Sequence, residues 1–396
     1  MEQWMEMRAA DFIDFNPRMS IKKGTIATKV AMDKLQPFTK RIPETEKAVF
    51  SGGSKFRNGD TIMARITPCL ENGKTAFVDI LGEDEVAFGS TEFIVMRAKE
   101  GISDPQFIYY LATSPSFRNI AIKSMVGSSG RQRVQQSVLN DLIMKVPSLE
   151  DQKKISSVFC VLDQKIALNN EINDNLQQQA AAIFRSWFVD CIPFGGTVPD
   201  EWKNVTLEDI TSLVSRGITP KYADDTDQIV INQKCIRNHM IDLSFARNHR
   251  PKVINNKWLR FGDLLINSTG DGTLGRAAQV WFQPHNLTVD SHVTIVRPAA
   301  ENMIFYIGLW GTQHEKEIES LHTGSTGQTE LPRDRVKAIE LLLPDKETMD
   351  RFNALIAPMA AAIVSNQEEN NRLASIRDAL LPKLMSGRID VSAIRL

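Results

Sequence analysis

Residues 155–187 read ISSVFCVLDQKIALNNEINDNLQQQAAAIFRSW, and residues 352–384 read FNALIAPMAAAIVSNQEENNRLASIRDALLPKL. In the first stretch Ile155, Phe159, Leu162, Ile166, Asn169, Asn173, Leu176, Ala180, Ile183 and Trp187 step by four and three residues without a break. That spacing is the seam of a long amphipathic helix packed on another helix. Adding 197 gives Phe352, Ile356, Met359, Ile363, Asn366, Asn370, Leu373, Arg377, Leu380 and Leu384, so the second stretch repeats the first, with asparagine again at both central places. At ~1.5 Å per residue, a helix of roughly 35–40 residues spans on the order of 55–60 Å.

Asparagine in an apolar seam costs stability and specifies register. Asn169 and Asn173 lie symmetrically about position 171, and Asn366 and Asn370 about 368. Antiparallel pairing sets Asn169 by Asn370 and Asn173 by Asn366, while parallel pairing would also match Asn with Asn. The antiparallel choice makes the chain pseudo-two-fold, with one globular domain at each end of a rod, and is the arrangement expected.

The repeat extends beyond the helices. Trp4 matches Trp202, Gly59-Asp60 matches Gly262-Asp263, Ile94 to Arg97 matches Thr294 to Arg297, and Gly127-Ser128-Ser129-Gly130 matches Gly324-Ser325-Thr326-Gly327. The offset drifts between 203 and 197 within the globular parts and then holds at 197 from Gly127 through Pro147/Pro344 into the helices. Small insertions are therefore tolerated in the globular parts and none in the helices. The expected layout is a mixed domain over residues 1–148, a central helical region over 149–196, a second mixed domain over 197–345 and a helical region over 346–396. Thr61 to Ala64, Glu92 to Met96 and His292 to Val296 read as strands, and Pro105 to Leu111 and Met303 to Leu309 as short helices. The class is α+β with a curved, mostly antiparallel sheet, and Phe194-Gly195-Gly196 with Pro199 forms the linker.

The 396 residues carry 47 Lys+Arg against 48 Asp+Glu, with 42% apolar and 7% aromatic residues, which excludes disordered, collagen-like and disulfide-scaffold classes. Cys69, Cys160, Cys191 and Cys235 show no paired spacing and read as core thiols of a reducing compartment. No apolar run approaches the ~18 residues of a membrane span, and the opening residues carry no basic-then-apolar leader, so a soluble cytoplasmic protein is expected.

Several catalytic motifs are approached and missed. Gly270 to Gly275 spells GxGxxG, but Gln279 to Phe282 reads as a strand where a nucleotide site needs a helix. Gly73-Lys74-Thr75 ends like a P-loop, with Pro68 where the first glycine belongs, and reads as a hairpin turn. All six histidines (239, 249, 285, 292, 314, 322) lie in the second globular part; Cys235 and His239 could share a helix face, but no second ligand pair accompanies them. Pro199 to Lys203 holds the letters of a metal-nuclease site too close together to surround one ion, and reads as a turn entering a strand. No catalytic or metal-ligating residues are assigned.

Nucleic-acid binding finds better support. Residues 1–148 carry net charge +3 and residues 197–345 carry −3. Within Gly127 to Gln136, small residues permit close backbone approach, while Arg131, Gln132 and Arg133 can contact guanine and adenine edges. The counterpart loop offers Ser325, Gln328 and, downstream, Arg333. Both loops precede a helix by similar distances, so a two-fold arrangement presents both to one duplex.

The chain resembles, over its whole length, the specificity subunit of Type I restriction-modification systems. The resemblance is most specific at Phe184 to Asp190 and Arg377 to Asp390, and extends to Ala64 to Pro68 and Gly73 to Val78. It implies two target-recognition domains joined by two antiparallel coiled-coil helices, each domain reading half of a split, asymmetric DNA site, with the helices setting the spacer. It implies two methyltransferase subunits that use S-adenosylmethionine and flip an adenine, ATP- and Mg-dependent restriction subunits as further partners, and no cofactor or chemistry on this chain. The candidate DNA contacts are Arg65, Asn72, Lys74, Ser128, Arg131, Gln132, Arg133, Ser268, Arg276, Ser325, Gln328 and Arg333; the seam residues form the coiled-coil and partner interface. The specificity partner of a fused methylase-nuclease and a non-catalytic protein scaffold are the alternatives.

Overall fold

The computed structural model describes residues 4–128, 130–250, 254–324 and 329–391. The chain forms two compact units, residues 1–168 with 369–396, and residues 169–368. The two seams lie in single helices, Leu149–Phe188 and Lys346–Leu384, and each helix gives one half to each unit.

The first unit is built on an antiparallel sheet in the order Ile13–Phe15, Phe93–Ala98, Thr61–Ala64, Thr75–Phe77. Successive side chains of a strand leave opposite faces. Phe93 and Val95 accordingly join Val30, Leu35 and Phe56 on one side, while Ile94 and Met96 join Phe107, Tyr110 and Phe117 on the other. Because both faces are covered, these strands read as unbroken apolar runs. A second sheet, ordered Glu46–Val49, Ile26–Val30, Ala87–Gly89, Ser54–Phe56, contains one parallel pair, Ile26–Val30 with Ala87–Gly89. Ile155, Val158 and Phe159 of the first long helix and Leu384 and Met385 at the end of the second close the core.

The second unit repeats this plan with different residues. Its sheet runs Thr211–Arg216, Val293–Pro298, Leu264–Asn267, Ala277–Gln279. Leu265, Ala278 and Ile295 face one cluster; Leu264, Ile266, Ala277 and Val296 face another, shared with Ala180, Phe184, Phe352 and Ile356 of the long helices. Again a parallel pair, Ile229–Ile231 with Leu287–Val289, lies in a neighbouring sheet. The strand expected at Gln279 to Phe282 begins two residues earlier and ends at Gln279. Cys235 and His239 share no helix: Cys235 closes a 3-10 turn and His239, at φ 60°, turns the hairpin between Ile236–Arg237 and Met240–Ile241. Cys191 and Cys235 are buried, whereas Cys69 and Cys160 are half-buried, so the core-thiol reading holds for two of the four.

One buried ion pair recurs at repeat-equivalent positions. Arg97 donates through Nε and Nη2 to Asp60 at 2.7 and 2.6 Å, and Arg297 through the same atoms to Asp263 at 2.7 Å each. Each aspartate also accepts a 2.8 Å bond from the backbone N–H three residues before it, on Arg57 and Arg260. The carboxylate thus pins the turn entering one central strand to the arginine on the next. Removing either partner would strand a buried charge.

Within each unit the helix halves run antiparallel. In the second, Asn366 Nδ2 donates to Asn173 Oδ1 at 2.8 Å, while Phe184 meets Phe352 with ring centroids 6.2 Å apart. As one number rises, its partner's falls. In the first, Arg377 Nη1 donates to Asp163 Oδ1 at 3.0 Å, and Asp163 Oδ2 accepts the Tyr110 hydroxyl at 2.6 Å. Lys40 Nζ donates to that hydroxyl oxygen at 2.9 Å and lies 4.7 Å from the ring centroid. Burial and the Asp163 charge push the Tyr110 phenol well above its ordinary pKa, so it stays a donor at any working pH.

The repeat partners of Asp163 and Arg377, 197 residues away, are Ala360 and Ala180, both buried. The first unit therefore holds a charge pair where the second holds two methyl groups. Arg377→Ala should cost about 1.5 to 3 kcal/mol by leaving the half-buried Asp163 without its cation. The double variant Asp163→Ala/Arg377→Ala should recover much of that loss in denaturant titrations. A single-variant loss below about 1 kcal/mol would mean the pair behaves as a solvated one.

Candidate nucleic-acid interface

Two loops in each unit are tied together by the same backbone pattern. In the first unit, Arg133 and Val126 exchange N–H to carbonyl bonds of 2.9 and 3.0 Å, Thr67 N–H donates to Gln132 at 3.0 Å, and Val134 N–H donates to Arg65 at 2.9 Å. The 126–134 segment is thereby laid beside the turn that follows Thr61–Ala64. In the second unit Glu330 and Thr323 exchange bonds of 2.9 and 2.8 Å, and Leu331 N–H donates to the Ser268 carbonyl at 2.8 Å. Val134 and Leu331 are the buried anchors. Gly127 turns the first segment at φ 135°, where an added Cβ would stand 3.0 Å from the Arg131 carbonyl oxygen; Gly324 turns the second at φ 101°. Both positions favour glycine for backbone reasons.

The candidate contacts separate into three groups. Ser128, Arg131 and Asn72 are exposed and Gln132 is half-buried; Arg333 is exposed, with Nε 3.4 Å from Asp334. Four others are engaged by the protein. Arg133 donates through Nε and Nη2 to Glu92 at 2.9 and 2.7 Å. Arg65 Nη2 reaches the Val134 carbonyl at 3.3 Å, Lys74 Nζ the Met32 carbonyl at 2.9 Å and Arg276 Nη2 the Gly272 carbonyl at 2.8 Å. The half-buried Lys74 ammonium thus serves the fold.

Ser268 must be corrected. It is 0% exposed, and its hydroxyl lies 2.5 Å from that of Thr294 inside the sheet, so it has no surface to offer a duplex. Ser325 and Gln328 lie outside the described residues. Among the seam residues, Ile155, Phe159, Asn169, Asn173, Phe352, Ile356, Ile363 and Leu384 are buried, and Leu162, Ile166, Leu176, Ile183, Trp187, Met359, Asn366, Asn370, Leu373 and Leu380 half-buried.

Sequence reasoning missed the acidic members of these loops. Glu92 grips Arg133, and Glu330 pairs with Arg216 Nη1, while Arg216 Nη2 donates to the Leu331 carbonyl at 2.8 Å. At the place equivalent to Glu92 stands His292, whose Nδ1 lies 2.7 Å from the Thr269 hydroxyl. The repeat alignment could have exposed this contrast, since the offset of 197 carries Arg133 onto Glu330 and that of 200 carries Glu92 onto His292. Among the described residues, no group of three or more His, Cys, Asp or Glu side chains is placed to hold a metal ion. No helix among them is long and apolar enough to cross a membrane.

Residues 1–178 match the family described as the Type I restriction modification DNA specificity domain. The chain is 25% identical, over 84% of its own length and 87% of the other's, to the Type I restriction enzyme HindI specificity subunit of Haemophilus influenzae. It is 25% identical, over 75% of its length and 71% of the other's, to the MjaIX specificity subunit of Methanocaldococcus jannaschii. In fold it is similar to the S subunit of a Type-I restriction-modification system from M. genitalium, with a TM-score of 0.56, 14% identity and 96% of each chain covered.

Proposed function

Because residues 1–178 match the Type I restriction modification DNA specificity domain, we propose that the chain is a specificity subunit of such a system and reads a bipartite, asymmetric DNA sequence, one half with each globular part. The observation that carries this reading is a frame built twice with unlike residues on its loops. The Asp–Arg pins, sheet order and loop ties repeat, while Arg133 answers to Glu330, Glu92 to His292 and Arg65 to Ser268. Such a pair of frames would present different hydrogen-bonding groups to two half-sites, and base edges distinguish such groups in the major groove.

In this reading the chain takes no chemical step. Two methyltransferase subunits, carrying S-adenosylmethionine, modify adenine, and ATP-dependent restriction subunits cut; this chain supplies sequence readout and register. The long helices dock those partners in the cytoplasm, and their length sets the unspecified spacer between half-sites. The domain limits 1–148, 149–196, 197–345 and 346–396 describe the working parts on this account. A net charge of −1 is compatible with it, because partners would supply much of the phosphate contact. Nothing in the matches favours the scaffold or the fused methylase-nuclease.

The test is a methylation map of DNA from cells expressing the chain with the methyltransferase subunit encoded beside it. One split motif carrying N6-methyladenine, lost when this chain is omitted, is the expected result; a stable complex that adds no methylation contradicts the reading. A second experiment concerns the spacer. Inserting four residues between Asn169 and Asn173 and four between Asn366 and Asn370 adds about 6 Å of helix. The recognised spacer should lengthen by about two base pairs at ~3.4 Å each, with both half-sites unchanged; an unchanged spacer in a folded variant would rule out the ruler.

A further inference from the structure

One position in the repeated frame carries opposite charges in the two units, and in each it rests on a partner of the other sign. In the first unit the outer residue is Arg133, its side chain 47% exposed, over Glu92 at 23%; in the second it is Glu330 at 55%, over Arg216 at 26%. Both outer residues occupy the same place in the backbone. Arg133 bridges Ile66 and Val126, as Glu330 bridges Thr269 and Thr323. The more exposed member sits on the loop and the more buried one on the frame, with polarity inverted between the units.

We propose that positions 133 and 330 are matched specificity determinants, Arg133 reading a guanine in one half-site and Glu330 an exocyclic amino group, on cytosine or adenine, in the other. The proposal rests on the DNA-reading function given above and names the residues that would carry part of it.

The atoms used by each inner partner support the assignment. A guanidinium has a side edge, Nε–H with one Nη2–H, and an end edge made of Nη1–H and the other Nη2–H. Glu92 takes the side edge, bonding Nε and Nη2 of Arg133. The end edge lies outside that pair, and its two donors match guanine O6 and N7. Glu92 thereby acts as a positioning residue, removing rotamer freedom that a lone exposed arginine would lose on binding.

Glu330 shows the inverse arrangement. Its Oε1 accepts from Arg216 Nη1, which leaves Oε2 outside the pair, and a carboxylate oxygen accepts from cytosine N4 or adenine N6. Arg216 is itself anchored to the Leu331 carbonyl at 2.8 Å, so the carboxylate leans on a fixed cation. The Thr269 hydroxyl, on a residue that bridges Glu330, is bonded to His292 and completes a polar loop edge unlike that of the first unit.

The experiment is methylation sequencing of the methyltransferase complex carrying Arg133→Gln, Glu330→Gln, or the paired inversion Glu92→Arg/Arg133→Glu, which keeps an ion pair in place. Arg133→Gln should relax one base-pair position in one half-site by about tenfold or more. Glu330→Gln should relax one position in the other half-site, and the inversion should change the preferred base where Arg133→Gln only relaxes it. A motif unchanged at every position in both single variants would overturn the proposal. So would a uniform fall in methylation across all sites without altered base preference, the mark of a phosphate contact. A split motif in the unsubstituted complex separates these failures from failure of the DNA-reading function, which would show as no motif at all.

Discussion

Each unit's core is closed by halves of both long helices, and this constraint governs the rest of the structure. Ile155 and Phe159 share one core with Leu384 and Met385; Ala180 and Phe184 share the other with Phe352 and Ile356. Residues far apart in sequence must therefore meet before either unit is complete. An apolar seam alone would tolerate a slip of one heptad, because its side chains are similar in shape. Polar pins remove that freedom: Asn173 bonds Asn366 in one unit and Asp163 bonds Arg377 in the other. A slip would part Asp163 from Arg377 and leave each without its counter-charge, a larger penalty than an imperfect apolar contact.

On that scaffold the duplication divides the residues into two kinds. The Asp60–Arg97 and Asp263–Arg297 pairs, the central sheets and the glycine-turned loops recur because they solve one folding problem twice. The loop residues do not recur. A frame kept rigid by buried bidentate pairs can carry changes at exposed positions with little cost to stability, since exposed substitutions away from such features usually shift stability by about 0.5 kcal/mol or less. The geometry thus suits a protein whose two parts share a fold and differ in what they contact.

Much of this was legible in the chain itself. The heptad spacing, the repeat at 197 and the symmetrical asparagines announced two long helices, and the structure joins Asn173 to Asn366 as antiparallel pairing required. The Gly59-Asp60/Gly262-Asp263 and Arg97/Arg297 matches were visible too, but that they bond to each other was not. Contacts between residues 34 to 114 apart depend on strand register, and strands of two to six residues carry too little periodicity to specify it. The same blindness explains Ser268. In a glycine-rich turn it reads as a loop hydroxyl, whereas its place at the end of Leu264–Asn267 turns it inward onto Thr294. Glu92 and Glu330 carry no signal of their own in the sequence, because an isolated acidic loop residue is the opposite of the charge that a polyanion attracts.

The central claim is that the loops at 126–134 and 323–331, with the turns beside them, are the surfaces that meet DNA. Hydrogen–deuterium exchange on the complex with its methyltransferase subunits, with and without a duplex carrying the mapped motif, tests it most directly. The account predicts slowed exchange in both loops and in the turns at 65–74 and 268–276, lost when the duplex lacks one half-site for the unit that reads it. Protection confined to other faces of the two units, with these four segments unchanged, would contradict it.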